Sequence, residues 1–219
     1  MQKIVRLLVI FFSCFLFFQG ASLAHADPQT QPSDSQKTSL KYARLSANSL
    51  FSFTISPQPA GDPAFVSSEP GVVTDFSLAR TYGTIGLLAH NTLAGAAFSQ
   101  LKTGQSLQLI TQDGSITLYR ITAIEKYRAL TPSSPKSDFS PLDSPGRRMT
   151  ATELFNHIYA TGDGKRLVLQ TCLEANGNPS WGRLFIIAEL ETGTPPLSAP
   201  LILYNPAPAW ASGDTLVAR

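Results

Sequence analysis

Three residues of this chain have side chains that could together do covalent chemistry. Cys172 closes the run Arg166-Leu167-Val168-Leu169-Gln170-Thr171-Cys172, His90 closes Ile85-Gly86-Leu87-Leu88-Ala89, and Arg183 lies in Trp181-Gly182-Arg183-Leu184-Phe185. A thiol, an imidazole and a guanidinium supply a nucleophile, a proton carrier and a group that stabilises negative charge. Each has a plainer reading by itself. A lone cysteine after an apolar run packs in a core, an isolated histidine is a satisfied structural residue, and an arginine at a strand start is solvated. Their order, histidine before cysteine before arginine, shifts the balance toward chemistry.

The elements that must position them follow from a pass along the chain. Residues 1–26 open with Lys3 and Arg6, run through the apolar stretch Leu7 to Phe18 and close on Ala24-His25-Ala26, the pattern of a cleaved secretory signal. The apolar stretch is shorter than the ~20 residues of a membrane span, and without cleavage it would act as a signal anchor. The expected localisation is therefore extracytoplasmic, with membrane association only if the signal is retained. Cys14 falls inside this leader as a buried apolar residue, so Cys172 is the one thiol of the exported part. Exported cysteines usually come in pairs, and an unpaired one is either inert core or a reactive group.

Of the 17 basic residues the leader holds two, and of the 15 acidic ones none, so the exported part carries 15 of each. No stripe of Lys and Arg interleaves with aromatics, which argues against nucleic acid as a partner. One cysteine with His90 and His157 cannot build a usual structural zinc set, and no cofactor or metal is expected. Residues 27–39, rich in Pro, Gln, Ser, Asp and Thr, read as a disordered linker. A single folded domain is expected over 40–206, with 207–219 as a tail.

Within that domain, short runs rich in Val, Ile, Phe, Tyr and Thr read as strands: Leu50 to Ile55, Val72 to Leu78, Ile85 to His90, Ser106 to Thr111, Ser115 to Arg128, Leu167 to Cys172 and Leu184 to Leu190. Gln112-Asp113-Gly114 marks a hairpin between two of them. Two helices interrupt the strands. Ala94 to Leu101 places Leu93, Ala97, Phe98 and Leu101 on one helical face, and Thr150-Ala151-Thr152-Glu153 is a capping box opening Leu154 to Ala160, which Thr161-Gly162 can end. His157, in the second helix, reads as a surface or rim residue. Thr131 to Arg148, with four prolines, is either a substrate-facing lid or a solvated insertion. Leu201 to Tyr204 suggests one more strand-like segment. The fold class is all-β with a few short helices.

Cys172 ends a strand, and the turn-rich segment Glu174 to Pro179 returns the chain along Trp181 to Leu190, which places Arg183 on a neighbouring antiparallel strand beside the thiol. His90 emerges from another strand end, so all three groups can share one rim.

On these residues the chain resembles a sortase, a cysteine transpeptidase of the bacterial cell surface. Sortases carry a Thr-Leu-x-Thr-Cys signature, and Val168-Leu169-Gln170-Thr171-Cys172 matches at every defined position but the first. The family's arginine sits on the next strand, as Arg183 does in Gly182-Arg183-Leu184-Phe185. Its histidine follows a strand and precedes a short helix, as His90-Asn91 does here, although Ala89 replaces the usual glycine. The similarity spans Leu50 to Leu190.

The resemblance implies a closed eight-stranded β-barrel and a two-step acyl transfer. Cys172 would attack the Thr-Gly bond of a C-terminal sorting signal similar to Leu-Pro-x-Thr-Gly, and an amine of cell-wall or pilin type, or water, would resolve the thioester. It also implies His90, Cys172 and Arg183 as the catalytic set, with Thr171 and Asn91 beside the substrate. Papain-like proteases place the nucleophile before the histidine. L,D-transpeptidases use a Ser-x-Gly-Cys-x-Arg motif, where this chain has Thr171 before the cysteine and Glu174 in the arginine's place. The alternative is a secreted, non-catalytic module of the same fold that binds peptide or glycan.

Overall fold

The computed structural model describes residues 42–192 apart from Pro135 and Thr161. The expected leader, linker and C-terminal tail, and the segment Leu201 to Tyr204, lie outside the described residues. Nine strands form one sheet: β1 (Tyr42–Ala47), β2 (Phe51–Pro57), β3 (Val72–Asp75), β4 (Thr84–Leu88), β5 (Ser106–Thr111), β6 (Ile116–Ala129), β7 (Phe139–Pro141), β8 (Arg166–Ala175) and β9 (Asn178–Leu190). Their order is β5-β1-β2-β3-β4-β8-β9-β6-β7, and β5 also pairs with β6. That last pairing closes eight strands into a ring and leaves β7 as a short ninth strand on its outside. The closed eight-stranded barrel is thus present, and ring closure removes the open edges that an eight-stranded sheet would otherwise expose.

Strand alternation divides the apolar residues between two cores. On β8, Leu167 and Leu169 point into the barrel, where they meet Leu45, Leu107, Leu109, Ile121, Leu184 and Ile186. Val168 points out, into a second cluster with Phe185 and Ile187 of β9 and Leu154, Ile158 and Tyr159 of the helix α2 (Ala151–Tyr159). Because α2 covers them from outside, β8 and β9 are apolar on both faces. The near-continuous runs Leu167 to Leu169 and Leu184 to Ala188 follow from that double burial.

The capping box at Thr150 forms as the sequence indicates. Thr150 Oγ1 accepts from the Glu153 amide at 3.2 Å, while the Glu153 carboxylate accepts from the Thr150 amide at 2.7 Å. The other end of α2 is tied to the barrel, where the Thr84 hydroxyl donates to the Tyr159 carbonyl at 2.7 Å.

Several elements differ from the sequence expectation. The run expected over Val72 to Leu78 is a strand only to Asp75. There Phe76 turns the chain into α1 (Ser77–Thr81), braced by an Arg80–Asp75 ion pair of 2.7 Å. Ala94–Gln100 is a 3-10 helix, with Phe98 and Leu101 still buried as the helical face requires. β1, which the sequence reading did not anticipate, fills the gap between β5 and β2. Glu174 to Pro179 is not a broad loop. β8 and β9 continue through it to a two-residue turn at Asn176-Gly177, both at positive φ (54° and 71°), a conformation Asn-Gly adopts readily. Part of the segment Thr131 to Arg148 is ordered as β7, which pairs with Tyr127 to Ala129 of β6 and bridges to Met149.

Candidate active site

The hairpin of β8 and β9 sets two of the three residues opposite each other. Cys172 and Arg183 are direct cross-strand partners, so their side chains leave the sheet on the same face. That face is the outward one. Thr171 before the cysteine is buried in the barrel, and Phe185, two beyond the arginine, belongs to the outer cluster. Cys172 is half-buried and carries a free thiol.

The histidine arrives from the other side of β8. β4 runs parallel to β8 with Leu88 paired to Gln170, and the Ala89 amide extends the ladder by donating to the Gln170 carbonyl at 3.1 Å. One further bond then fixes the chain. The buried Thr171 hydroxyl donates to the Ala89 carbonyl at 2.8 Å. In parallel register, His90 follows Leu88 by two residues, just as Cys172 follows Gln170. The His90 carbonyl in turn accepts from the Leu93 and Gly95 amides, each at 3.0 Å, so the start of the 3-10 helix holds the histidine main chain from its other side. Gly95 is required there: a Cβ on it would lie 2.2 Å from Thr171 Oγ1 and 2.7 Å from the His90 carbonyl oxygen.

His90, Cys172 and Arg183 all line one cleft between the barrel wall and α2. The ring nitrogen Nε2 of His90 lies 3.3 Å from the Val66 carbonyl, an acceptor that calls for a proton on that nitrogen. Arg183 Nη1 donates to the Gly182 and Ser180 carbonyls at 2.8 and 3.2 Å, and its guanidinium lies 5.9 Å from the centre of the Phe139 ring, within cation–π range. Phe139 comes from β7, inside the segment that the sequence left open between lid and insertion.

The remaining wall includes a cluster of rings among smaller apolar and polar side chains. Phe76, Tyr82, Phe155 and Tyr159 meet edge-on or tilted, with ring centres 5.1 to 6.3 Å apart, and all four line the cleft. Among the described residues no carboxylate lines the cleft. Among the described residues, no group of three or more His, Cys, Asp and Glu is placed to hold a metal ion. No described helix is long and apolar enough to cross a membrane.

The two residues expected beside substrate are placed differently from each other. Thr171 borders the cleft, but its hydroxyl is engaged by Ala89 within the barrel wall. Asn91 is not among the lining residues; its amide donates to the Pro179 carbonyl at 3.2 Å and ties the histidine loop to the β8–β9 hairpin. His157 stands away from the cleft, half-exposed, with Nε2 2.9 Å from the Glu125 carboxylate. Sequence reasoning missed Gly95, Phe139, Tyr159 and Gln170 as parts of this site. A glycine inside a short helix costs about 1 kcal/mol relative to alanine, and that cost was the one signal for Gly95.

Fold and site together define a closed β-barrel with a cysteine, a histidine and an arginine on one outer cleft. The chain matches no family model and no curated protein. Among solved structures, 67 chains match it. Sortase A of Listeria monocytogenes is 14% identical with a TM-score of 0.43, over 69% of this chain and 88% of that one. The sortase D5 transpeptidase of Clostridium perfringens is 15% identical with a TM-score of 0.43, over 69% and 79%. Sortase C-1 of Actinomyces oris is 16% identical with a TM-score of 0.46, over 68% and 71%. The chain is similar in fold to these sortases.

Proposed function

We infer that the chain is a sortase-like cysteine transpeptidase that cleaves a peptide sorting signal through a Cys172 thioester and passes the acyl group to an amine or to water. The observation that carries this reading is the register: Cys172 faces Arg183 across β8 and β9, and His90 follows the parallel strand β4 at the matching level, on one shared cleft.

In the first half-reaction the Cys172 thiol gives its proton to neutral His90, its sulfur bonds to the carbonyl carbon of the scissile amide, and the carbonyl electron pair moves to oxygen. Arg183 stabilises that oxyanion once its guanidinium turns from the Gly182 and Ser180 carbonyls toward the substrate. Collapse re-forms the carbonyl, breaks the C–N bond and leaves a thioester, while the His90 imidazolium protonates the departing amine. In the second half-reaction neutral His90 takes the proton of an incoming amine or water, whose attack on the thioester releases the Cys172 thiolate. The cleft's rings suit an uncharged, apolar peptide segment, and among the described residues no carboxylate lines it to attract a cationic one.

The test is mass spectrometry of purified protein mixed with Leu-Pro-x-Thr-Gly peptides, with and without added amines. An acyl adduct on Cys172 that transfers to amine is expected, together with loss of the adduct in Cys172→Ala and a fall of at least 10²-fold in its rate in His90→Ala and Arg183→Ala. If no peptide in the series acylates Cys172, the transpeptidase reading is lost.

One observation favours the second reading, a non-catalytic peptide- or glycan-binding module: the Arg183 guanidinium is held by main-chain carbonyls and Phe139. Iodoacetamide labelling separates the two. A thiol tuned for catalysis changes its alkylation rate in His90→Ala and Arg183→Ala, whereas a binding module's thiol is indifferent to both.

A further inference from the structure

The cleft holds a polar group that acyl transfer does not use. Gln170 lies two residues before Cys172 on the same outward face of β8 and lines the cleft. Its Oε1 accepts a hydrogen bond from the Tyr159 hydroxyl at 2.6 Å. Chemistry sets the direction of this bond. Tyr159 is only 2% exposed, and among the described residues its phenol has no other acceptor, so an O–H that did not donate to Gln170 would be left unsatisfied. Burial also pushes the Tyr159 phenol far above its ordinary range, which keeps the proton on it.

With Oε1 held in this way, the two N–H groups of Gln170 Nε2 have no hydrogen-bond partner among the described residues. Nor are they sealed off. Among the described residues no fully buried side-chain nitrogen or oxygen lacks a partner, so this unpartnered nitrogen opens on the cleft. The rings of Phe155 and Tyr159 line the same cleft. In such surroundings an amide donor discriminates well, because a ligand without an acceptor strips it of water and returns nothing.

We propose that Gln170 is a specificity-determining residue that donates from Nε2 to a main-chain carbonyl of an extended peptide substrate, and that Tyr159 is the positioning residue that orients its amide. The inference rests on the peptide acyl-transfer reading above. Spacing identifies the carbonyl. Two residues along a strand span about 6.7 Å, and an extended peptide beside β8 repeats at the same interval. The acceptor is therefore two residues from the carbonyl that Cys172 attacks. In Leu-Pro-Ala-Thr-Gly attacked at threonine, counting back along the acyl part, it is the proline carbonyl.

The test measures equilibrium binding to Cys172→Ala protein, where no chemistry follows. The probes are N-acetyl-Leu-Pro-Ala-Thr-Gly-amide and the same peptide with a trans-alkene replacing the Pro–Ala amide. The alkene peptide is expected to bind about 3- to 10-fold more weakly. Adding Gln170→Leu abolishes that difference, and adding Tyr159→Phe reduces it. The Gln170 side-chain amide resonances shift with the carbonyl peptide and not with the alkene. Equal discrimination in Gln170→Leu, unmoved Gln170 resonances, or no binding of either peptide at millimolar concentration overturns the proposal; should Gln170→Leu misfold, the resonances of the intact side chain decide. Acylation of wild-type Cys172 is scored separately. An adduct without carbonyl discrimination removes Gln170 from recognition and leaves acyl transfer standing, while discrimination without an adduct does the reverse.

Discussion

The Thr171 hydroxyl sits between Cys172 and His90, two of the groups proposed to react, and belongs to neither. It precedes Cys172 in the chain, and its bond to the Ala89 carbonyl holds the residue before His90. Thr171→Val keeps the branched shape but leaves that buried carbonyl without its donor, a loss expected to cost about 1–3 kcal/mol in urea unfolding. Acyl transfer should suffer beyond the loss of stability, because a displacement on the order of 1 Å between reacting groups costs about 10²-fold. Thr171→Ser restores both. Gly95→Ala approaches the same spot from the 3-10 helix, where its Cβ would meet Thr171 Oγ1 at 2.2 Å. Transfer is expected to fall to a comparable degree while the barrel's circular dichroism is unchanged; full activity in Gly95→Ala would show that the clasp does not position His90. Of the trio proposed to react, Cys172 and His90 drew notice in the sequence because the chain has two cysteines and three histidines, whereas Arg183, one of ten arginines, stood out only by its place on the segment that follows the cysteine. The clasp was not legible, since whether Thr171 points inward depends on a register that β4 and β9 settle jointly.

Among the elements, α2 is the one whose stability bears most directly on the cleft, since Leu154, Phe155 and Tyr159 form part of the wall. Its start rests on the capping box, and Thr150→Ala is expected to cost about 1 kcal/mol. Bonds from the Thr150 backbone N–H, first, and the Thr150 hydroxyl hold the Glu153 carboxyl below its ordinary value. A group whose value is lowered by folding stabilises the fold fully above its unfolded value, and that contribution is lost as pH falls through the folded one. The protection of the first-turn amides of α2, taken as observed exchange relative to the intrinsic rate at each pH, should therefore be high at neutral pH and fall in acid below the ordinary carboxylate range of roughly 4. In Thr150→Ala the fall in protection should begin at higher pH; a protection profile identical to that of the wild type would show that the box does not hold the turn. This helix was legible because Thr-x-x-Glu is a local signal that needs no tertiary partner. β1 and α1 were not legible for the opposite reason. Tyr42–Ala47 is a strand because β5 and β2 flank it, and Ser77–Thr81 is a helix where Phe76 ends the pairing of β3. The Asn176-Gly177 turn did carry a two-residue signal, which the surrounding polar residues disguised as a longer loop.

Over the whole molecule, ring closure makes the interior one continuous core, so a cavity anywhere inside it destabilises the fold, while its effect on the site depends on which strands it disturbs. Leu45 and Leu169 offer a matched pair, since both are fully buried in the same cluster. Leu45 pairs with Phe53 and Leu109, on strands that carry none of His90, Cys172 and Arg183. Leu169 pairs with Leu87 and Ile186, on the strands that lead to His90 and Arg183, and lies three residues before Cys172. Truncation to alanine is expected to cost each variant about 2–5 kcal/mol by calorimetry, because both lose buried methyl groups and leave a cavity. Acylation of Cys172, measured well below each variant's melting temperature and corrected for the folded fraction, should stay near the wild-type rate in Leu45→Ala. In Leu169→Ala it should fall by an order of magnitude or more, because relaxation of β8 into the cavity shifts Cys172 against its partners. Equal losses of activity per folded molecule in the two variants would mean that the barrel responds as one elastic body. The register of β4, β8 and β9 would then not be what holds the site.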